Sequence, residues 1–344
     1  TINNGKLYFN SVLYTGNAGT QSITGVGFQP NFIWGKNRSS VTNHALVDTV
    51  RGNTKYVKSS TNAAEATITN MVTAFGSDGF SLGADSDMNG SSANQVAWNW
   101  KAGTTSIPSG GSLAPTAVSI NATSGFGIYK YTGNGAGVRT IAHGLGVIPK
   151  MIIVKKLDGA IDWAVYHASL PLSNNLELNN TDAAVANNLW WSSRPTSSLI
   201  HFNGDNQVNG NGSTYVAYVF ADVQGYSKFG SYVGNGNADG TFVYTGFSPA
   251  FVMVKRTNGA NSWNIKDNRR NNASTSFNIN PRNATLLPND SAADQDANAL
   301  DFLSNGFKNR STGNDVNNAS GSYIYMAFAE NPFTSSAGTP VTAR

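Results

Sequence analysis

Tyr131-Thr132-Gly133-Asn134-Gly135, followed eight residues later by His143-Gly144-Leu145-Gly146-Val147-Ile148-Pro149-Lys150-Met151, is the stretch that decides the fold, because the chain writes it three times. Tyr14-Thr15-Gly16-Asn17 leads to Gly27-Phe28-Gln29-Pro30-Asn31-Phe32. Tyr232-Val233-Gly234-Asn235 leads to Gly246-Phe247-Ser248-Pro249-Ala250-Phe251. A lysine stands six positions after each proline, at Lys36, Lys155 and Lys255. The prolines lie 119 and 100 residues apart, too far for a solenoid unit and right for a small domain.

The copies stay colinear to their ends. His44-Ala45-Leu46-Val47-Asp48 matches Trp163-Ala164-Val165-Tyr166-His167 and Trp263-Asn264-Ile265-Lys266-Asp267. Gln95 to Trp100, Tyr215 to Phe220 and Tyr323 to Phe328 share aromatic or β-branched positions and read as closing strands. Pro30, Pro149 and Pro249 each open a β-branched or aromatic run, a place where the missing N–H costs little. The lysines six residues on are expected to end those strands at solvent. Asn-Gly and Asp-Gly pairs, among them Asn89-Gly90, Asn134-Gly135, Asn209-Gly210 and Asn235-Gly236, read as hairpin turns. The fold class that follows is all-β: three tandem antiparallel β-sandwich repeat domains of jelly-roll or lectin-like type. Gly16, Gly133 and Gly234, the three prolines, Trp163 and Trp263 are its structural repeat positions. Short helical turns are expected only at the alanine-bearing segments 62–66, 182–186 and 291–294.

Domain limits follow from the repeat. The first unit spans 5–102, a Gly/Ser/Pro linker 103–125, the second unit 126–222, the third 229–333, and a polar tail 334–344.

Composition narrows the function classes. Of 344 residues, 12% are charged, against about 25% in an average domain. Aromatics at 11% supply enough apolar area to fold. The net charge of +4 comes from scattered groups, with no basic stripe of the kind a nucleic-acid reader concentrates on one face. With no cysteine, disulfides and thiolate metal sites are excluded. No apolar run reaches the roughly eighteen residues of a membrane-spanning helix. No secretory leader is read at Thr1, so the chain is taken as processed or as part of a longer protein.

Catalytic constellations are hard to assemble. The four histidines, His44, His143, His167 and His201, show no nucleophile elbow and no metal helix around them. Glutamate occurs only at Glu65, Glu177 and Glu330, which offers no matched pair for glycoside hydrolysis. Asp85-Ser86-Asp87 and the acidic run 290–296 read as solvated loops; oxygen ligands would suit calcium there, but the first cluster has no matching copy in the other repeats and the spacing follows no EF-hand. No metal, cofactor or catalytic residue is assigned. Asp48-x-x-Arg51 recurs as Asp267-x-x-Arg270, with His167 and Leu170 in the middle copy, and reads as a brace for a loop or an interface. Trp190-Trp191, with Arg194 close by, belongs to the middle copy alone. Aromatic faces beside amides suit a sugar ring, a protein interface or a sandwich core. Trp190, Trp191 and Arg194 are therefore the glycan or interface candidates.

The Tyr131 to Gly135 block, His143-Gly144-Leu145-Gly146 with Pro149, the strand to Lys155, Trp163, and the strands at Tyr215 and Tyr323 together resemble a repeat family of tailed-bacteriophage virion proteins. Such proteins are usually labelled tail-fibre or structural proteins of marine phages. The resemblance covers 126–333 well and 7–101 loosely, where His44 replaces the expected tryptophan. It implies a non-enzymatic β-rich protein of the virion surface, in a tail fibre or as a decoration. It further implies partners among other virion proteins and self-association as a homo-trimer or higher. A host-surface glycan is the candidate receptor; nucleic acid and membrane insertion are not expected. The alternative is a secreted protein of tandem carbohydrate-binding modules.

Overall fold

The computed structural model describes residues 1–270 and 279–332. The tail expected at 334–344 lies outside the described residues. The chain is all-β, built from several antiparallel sheets.

Each copy of the repeat contributes one sheet of the same strand order. In the first copy an opening strand, Phe9–Thr15, pairs with the closing strand, Asn94–Trp100. The closing strand pairs in turn with the strand after the proline, Phe32–Asn37, and that with a short strand, Ala45–Asp48. The second copy repeats the order with Phe126–Thr132, Thr214–Ala221, Pro149–Lys156 and Ala164–His167. The third uses Ser227–Val233, Ser322–Pro332, Phe247–Arg256 and Asn264–Asp267.

Alternation sends one side of each sheet outward and the other inward. The outward sides pack under three separate layers, each with its own apolar cluster. The inward sides of all three sheets meet in one cluster. At its middle stand the matching residues of the closing strands, Trp100, Phe220 and Phe328. Their ring centroids are 6.3 Å apart (Trp100–Phe220), 6.0 Å (Phe220–Phe328) and 5.6 Å (Trp100–Phe328). Edge-on and offset contacts of this kind suit the ring quadrupole. Phe32 of the first copy stacks on Tyr218 of the second at 4.3 Å, and Trp98 meets Phe251 of the third at 5.7 Å. The three sheets thus enclose a common aromatic centre in a threefold-like arrangement.

Several expectations need correction. Lys36, Lys155 and Lys255 do not reach solvent; all are fully buried. Each ammonium folds back onto loop carbonyls: Lys155 Nζ donates to Lys156, Gly159 and Ile161 oxygens at 2.7, 3.3 and 3.0 Å. Burial brings the pKa of each down to about 8 against the pull of nearby acidic groups.

The alanine-bearing segments are extended, not helical. Their backbone groups are taken by a neighbouring copy. Glu65 N–H donates to Leu157 O at 2.8 Å, Ala184 N–H to Thr257 O at 2.9 Å, and Asp294 N–H to Arg38 O at 2.9 Å. Short helices occur instead at Ser86–Asn89 and Asn206–Asn209, where Asp85 and Asp205 cap the first turn. Within the stretch expected as linker, Ala117–Asn121 is a strand that pairs along the whole of its length with Phe126–Lys130.

Candidate functional site

The repeated tetrapeptide holds a turn together. Tyr14, Tyr131 and Tyr232 donate their hydroxyls to the carbonyls of Met88, Val208 and Val316 at 2.8, 2.7 and 2.7 Å. The backbone N–H of Asn17, Asn134 and Asn235 donates to the side-chain oxygen of a buried asparagine, Asn89, Asn209 or Asn317, at 2.9, 3.0 and 3.1 Å. Between them the glycine admits the facing turn: a Cβ on Gly16, Gly133 or Gly234 would lie 2.0, 2.4 or 2.3 Å from the backbone oxygen of Gly90, Gly210 or Asn318. Asn89-Gly90 and Asn209-Gly210, expected as hairpin turns, therefore close helical turns, with φ of −57° and −59° at the glycines. The sequence reading takes Asn89 and Asn209 only as turn residues and passes over Asn317, although an apolar residue stands before each of them, at 88, 208 and 316.

The Asp-x-x-Arg pairs brace one copy against the next. Asp48 and Arg51 form a fully buried pair at 2.6 Å, and Arg51 also meets Glu65 at 3.3 Å. Tyr218 of the second copy donates its hydroxyl to Asp48 at 2.8 Å. Asp267 and Arg270 pair at 2.6 Å, Arg270 also engages Asp294, and Trp98 of the first copy donates its indole N–H to Asp267 at 3.0 Å. Burial alone would raise the Asp267 carboxyl, but the Arg270 guanidinium and the donated hydrogen bonds outweigh it and hold the pKa below the ordinary value. In the middle copy His167 takes the aspartate's place and its Nε2 faces the Tyr325 carbonyl of the third copy at 3.1 Å. Ser169 N–H donates to Nδ1 at 3.2 Å, so the ring is neutral with its proton on Nε2. Burial lowers its pKa to about 4, the Tyr325 carbonyl only partly opposing. First copy leans on second, second on third, third on first.

A second ring of contacts runs the other way. Trp163 donates its indole N–H to Lys58 O and Thr61 O of the first copy, both at 3.1 Å. Trp263 donates to Glu177 O of the second at 2.9 Å. In the first copy His44 stands at that place beside the Leu287 carbonyl, its Nδ1 accepting from Trp34 at 2.9 Å. Pro30, Pro149 and Pro249 are all buried, and the last two sit at irregularities in strand pairing where a missing N–H is harmless.

Trp190 and Trp191 are 3% and 1% exposed, so neither ring offers a face to solvent as a stacking platform. Trp191 packs between Tyr166 and Phe202, each 5.6 Å away. Arg194 is exposed, but its guanidinium ties down the loop through Tyr166 Oη and the carbonyls of Ala168 and Leu170 at 3.3, 2.9 and 3.0 Å. The pair is core, because the middle copy's outer layer has only a two-stranded sheet and needs large side chains to fill it.

Trp190 does reach a pocket of about 170 Å³. Asn175, Leu176, Glu177, Asp182, Val185 and Asn187 share in lining it. Glu177 accepts from Gln207 Nε2 at 3.2 Å and from Asn180 Nδ2. Half-burial raises its pKa, partly offset by those donors. Asp85 caps a helix rather than a loop ligand set, accepting from Asp87 N–H at 3.0 Å. Among the described residues no three His, Cys, Asp or Glu side chains are grouped to hold a metal ion, and no helix is long and apolar enough to cross a membrane.

A family model described as a domain of unknown function, DUF7483, matches residues 4–332. The chain belongs to this family. The match runs through all three copies of the repeat, so the family's unit is the whole threefold-like body. No curated protein and no solved structure matches the chain.

Proposed function

We propose that this protein is a non-enzymatic structural component of a tailed-phage particle, in a tail fibre or as a surface decoration, which helps the particle adhere to its host. Its three copies are read as tandem β-sandwiches of jelly-roll type, self-associating and contacting other particle proteins. The observation that carries the reading is the cyclic bracing. The charged groups that most resemble catalytic machinery, Asp48 with Arg51 and Asp267 with Arg270, are buried and hold the copies to one another. A rigid body whose conserved-within-chain residues maintain shape suits a particle component. The resemblance of the Tyr-Thr-Gly-Asn and Gly-x-x-Pro blocks to virion repeats supports the same assignment. The secreted carbohydrate-binding alternative loses the Trp190-Trp191 platform on which it rested. Gold-labelled antibody against this chain, applied to purified particles in negative stain, should decorate a fixed feature. Particles that carry no label and no trace of the chain on a gel would overturn the assignment.

A further inference from the structure

The three copies act as one another's controls at the edge of their outer layers. Ile23, Ile141 and Val243 stand at matching places, opposite Phe80, Ile200 and Phe307, and each lies in the apolar cluster of its own copy. The residues on either side of them face the other way. They are Ser22 and Thr24 in the first copy, Thr140 and Ala142 in the second, and Phe242 and Tyr244 in the third. The third copy alone sets aromatic rings there, and these residues are 44% and 58% exposed.

The backbone at Phe242 and Tyr244 is open as well. Asn309 N–H donates to Thr241 O at 3.1 Å and Thr245 N–H to Asn305 O at 3.0 Å, so Thr241 and Thr245 turn toward the neighbouring strand, Gly306–Asn309. By alternation Phe242 and Tyr244 turn their N–H and C=O groups away from it, at the sheet's edge, where no other described residue bonds them. In the middle copy the chain covers this edge itself. Leu113 N–H donates to Thr140 O at 2.9 Å, Thr140 N–H donates to Ser112 Oγ at 2.9 Å, and a Cβ on Gly111 would lie 2.6 Å from Ala142 N. Residues 101–125 are long enough for that excursion. Before the third copy the chain has only Asp222 to Tyr226, a tight turn in which Tyr226 N–H donates to Val223 O at 3.0 Å. An uncovered edge is commonly blunted by lysine or proline. Phe242–Tyr244 holds neither, and Lys308, opposite Phe242, is held by Asp239 at 2.6 Å.

We propose that the strand Phe242–Tyr244 pairs with the same strand of a second molecule of this chain, antiparallel and about a twofold axis at Val243. In that register Phe242 of each molecule lies opposite Tyr244 of the other, and the outward backbone groups of each satisfy those of its counterpart. Ring then meets ring, a favourable cross-strand pair. The outer sheet of the third copy runs on across the axis into its counterpart. An unrelated extended segment would meet the same backbone edge without the ring-for-ring match, so a second molecule is the occupant that fits. The contact is small, and the pairing is accordingly weak, with a Kd on the order of 100 µM. This gives a surface and a symmetry to the self-association in the proposed function, on which it rests, whatever place the chain takes in a particle.

The test is sedimentation equilibrium of the purified full chain from about 5 µM to about 500 µM, a range that brackets the expected Kd. The apparent mass should climb from that of one chain toward that of two. Phe242→Lys combined with Tyr244→Lys sets like charges opposite each other and should weaken pairing at least tenfold. Phe242→Glu combined with Tyr244→Lys removes the same two rings but sets unlike charges opposite each other. It should pair at least tenfold more tightly than the double-lysine variant, and high salt should erase that advantage. Both positions are exposed, so circular dichroism should stay unchanged throughout. A wild type that remains single across the range, or that assembles toward three chains, would overturn the inference, as would double variants that pair equally well. Particle labelling reads where the chain sits and is moved by none of these results, so the two proposals fail separately.

Discussion

Two kinds of residue carry this fold, glycines that let a strand's end meet a tight turn and buried polar groups that find partners in another copy. Gly133 belongs to the first kind. A methyl group there would sit 2.4 Å from Gly210 O and 3.0 Å from the Tyr215 ring, so backbone must move. Gly133→Ala should cost at least about 2 kcal/mol, read as a lowered midpoint in urea. A change within experimental error would show that the close approach is not needed. His167 belongs to the second kind. Its folded pKa, lowered to about 4 by burial, lies below the 6.5 of the unfolded chain. The unfolded state therefore takes up the proton first, and stability present above pH 6.5 is lost as pH falls toward 4. The full difference is on the order of 3 kcal/mol. His167→Gln should flatten the fall in Tm between pH 6.5 and 4.5, leaving the part due to the other lowered histidines, His44, His143 and His201. An unchanged slope would remove His167 from the account.

At the scale of elements, the copies have solved one packing problem in two ways. The first copy uses Asp48, Arg51 and Glu65, and the third Asp267, Arg270 and Asp294. At the same places the second has His167, Leu170 and Ala184, with Leu170 and Ala184 packed in the common centre. An apolar set can replace a buried ionic set at little cost, whereas removing one charge strands its partner. Arg51→Leu alone should therefore lose about 3–5 kcal/mol. Adding Asp48→His and Glu65→Ala, which rebuilds the middle copy's set, should restore at least half of that in a denaturant titration. If the triple variant is no more stable than the single one, the sets are not interchangeable. This level was partly legible in the sequence. The repeat spacing gave the Asp-x-x-Arg recurrence and its replacement at His167 and Leu170, and the brace reading followed. Glu65, Ala184 and Asp294 were misread as parts of helical turns, because alanine next to a capping residue has local helix preference. Backbone hydrogen bonds to another copy override that preference, and nothing local announces them. The lysines were misplaced for a similar reason: a charge at a strand's end reads as exposed unless its loop carbonyls are known to fold over it.

On the scale of the whole molecule, the common aromatic centre makes the copies interdependent. Residues 126–222 alone would expose Ile128, Met151, Ile153, Tyr218 and Phe220, which the intact chain buries against the other two copies. At about 1.5–3 kcal/mol for each large apolar side chain, that exposure is as large as the whole net stability of an ordinary domain. The fragment should give the circular dichroism and narrow proton shifts of an unfolded chain, and the intact protein should melt in one calorimetric transition. A fragment that folds, or three separable transitions, would mean that each copy supports itself. The domain limits read from sequence say nothing on this point, since periodic strands look alike whether their inner faces meet within a copy or between copies.

Joining three copies in one polypeptide also frees each from being identical to the others. A symmetric trimer of separate subunits must repeat every substitution three times, so the exchange of an aspartate and an arginine for a histidine and a leucine would appear at every seam. Here the middle copy alone carries His167 and Leu170 at that seam, while the first and third keep the aspartate–arginine pair. The three seams can therefore differ in their response to acid, since one rests on an imidazole where the other two rest on a carboxylate.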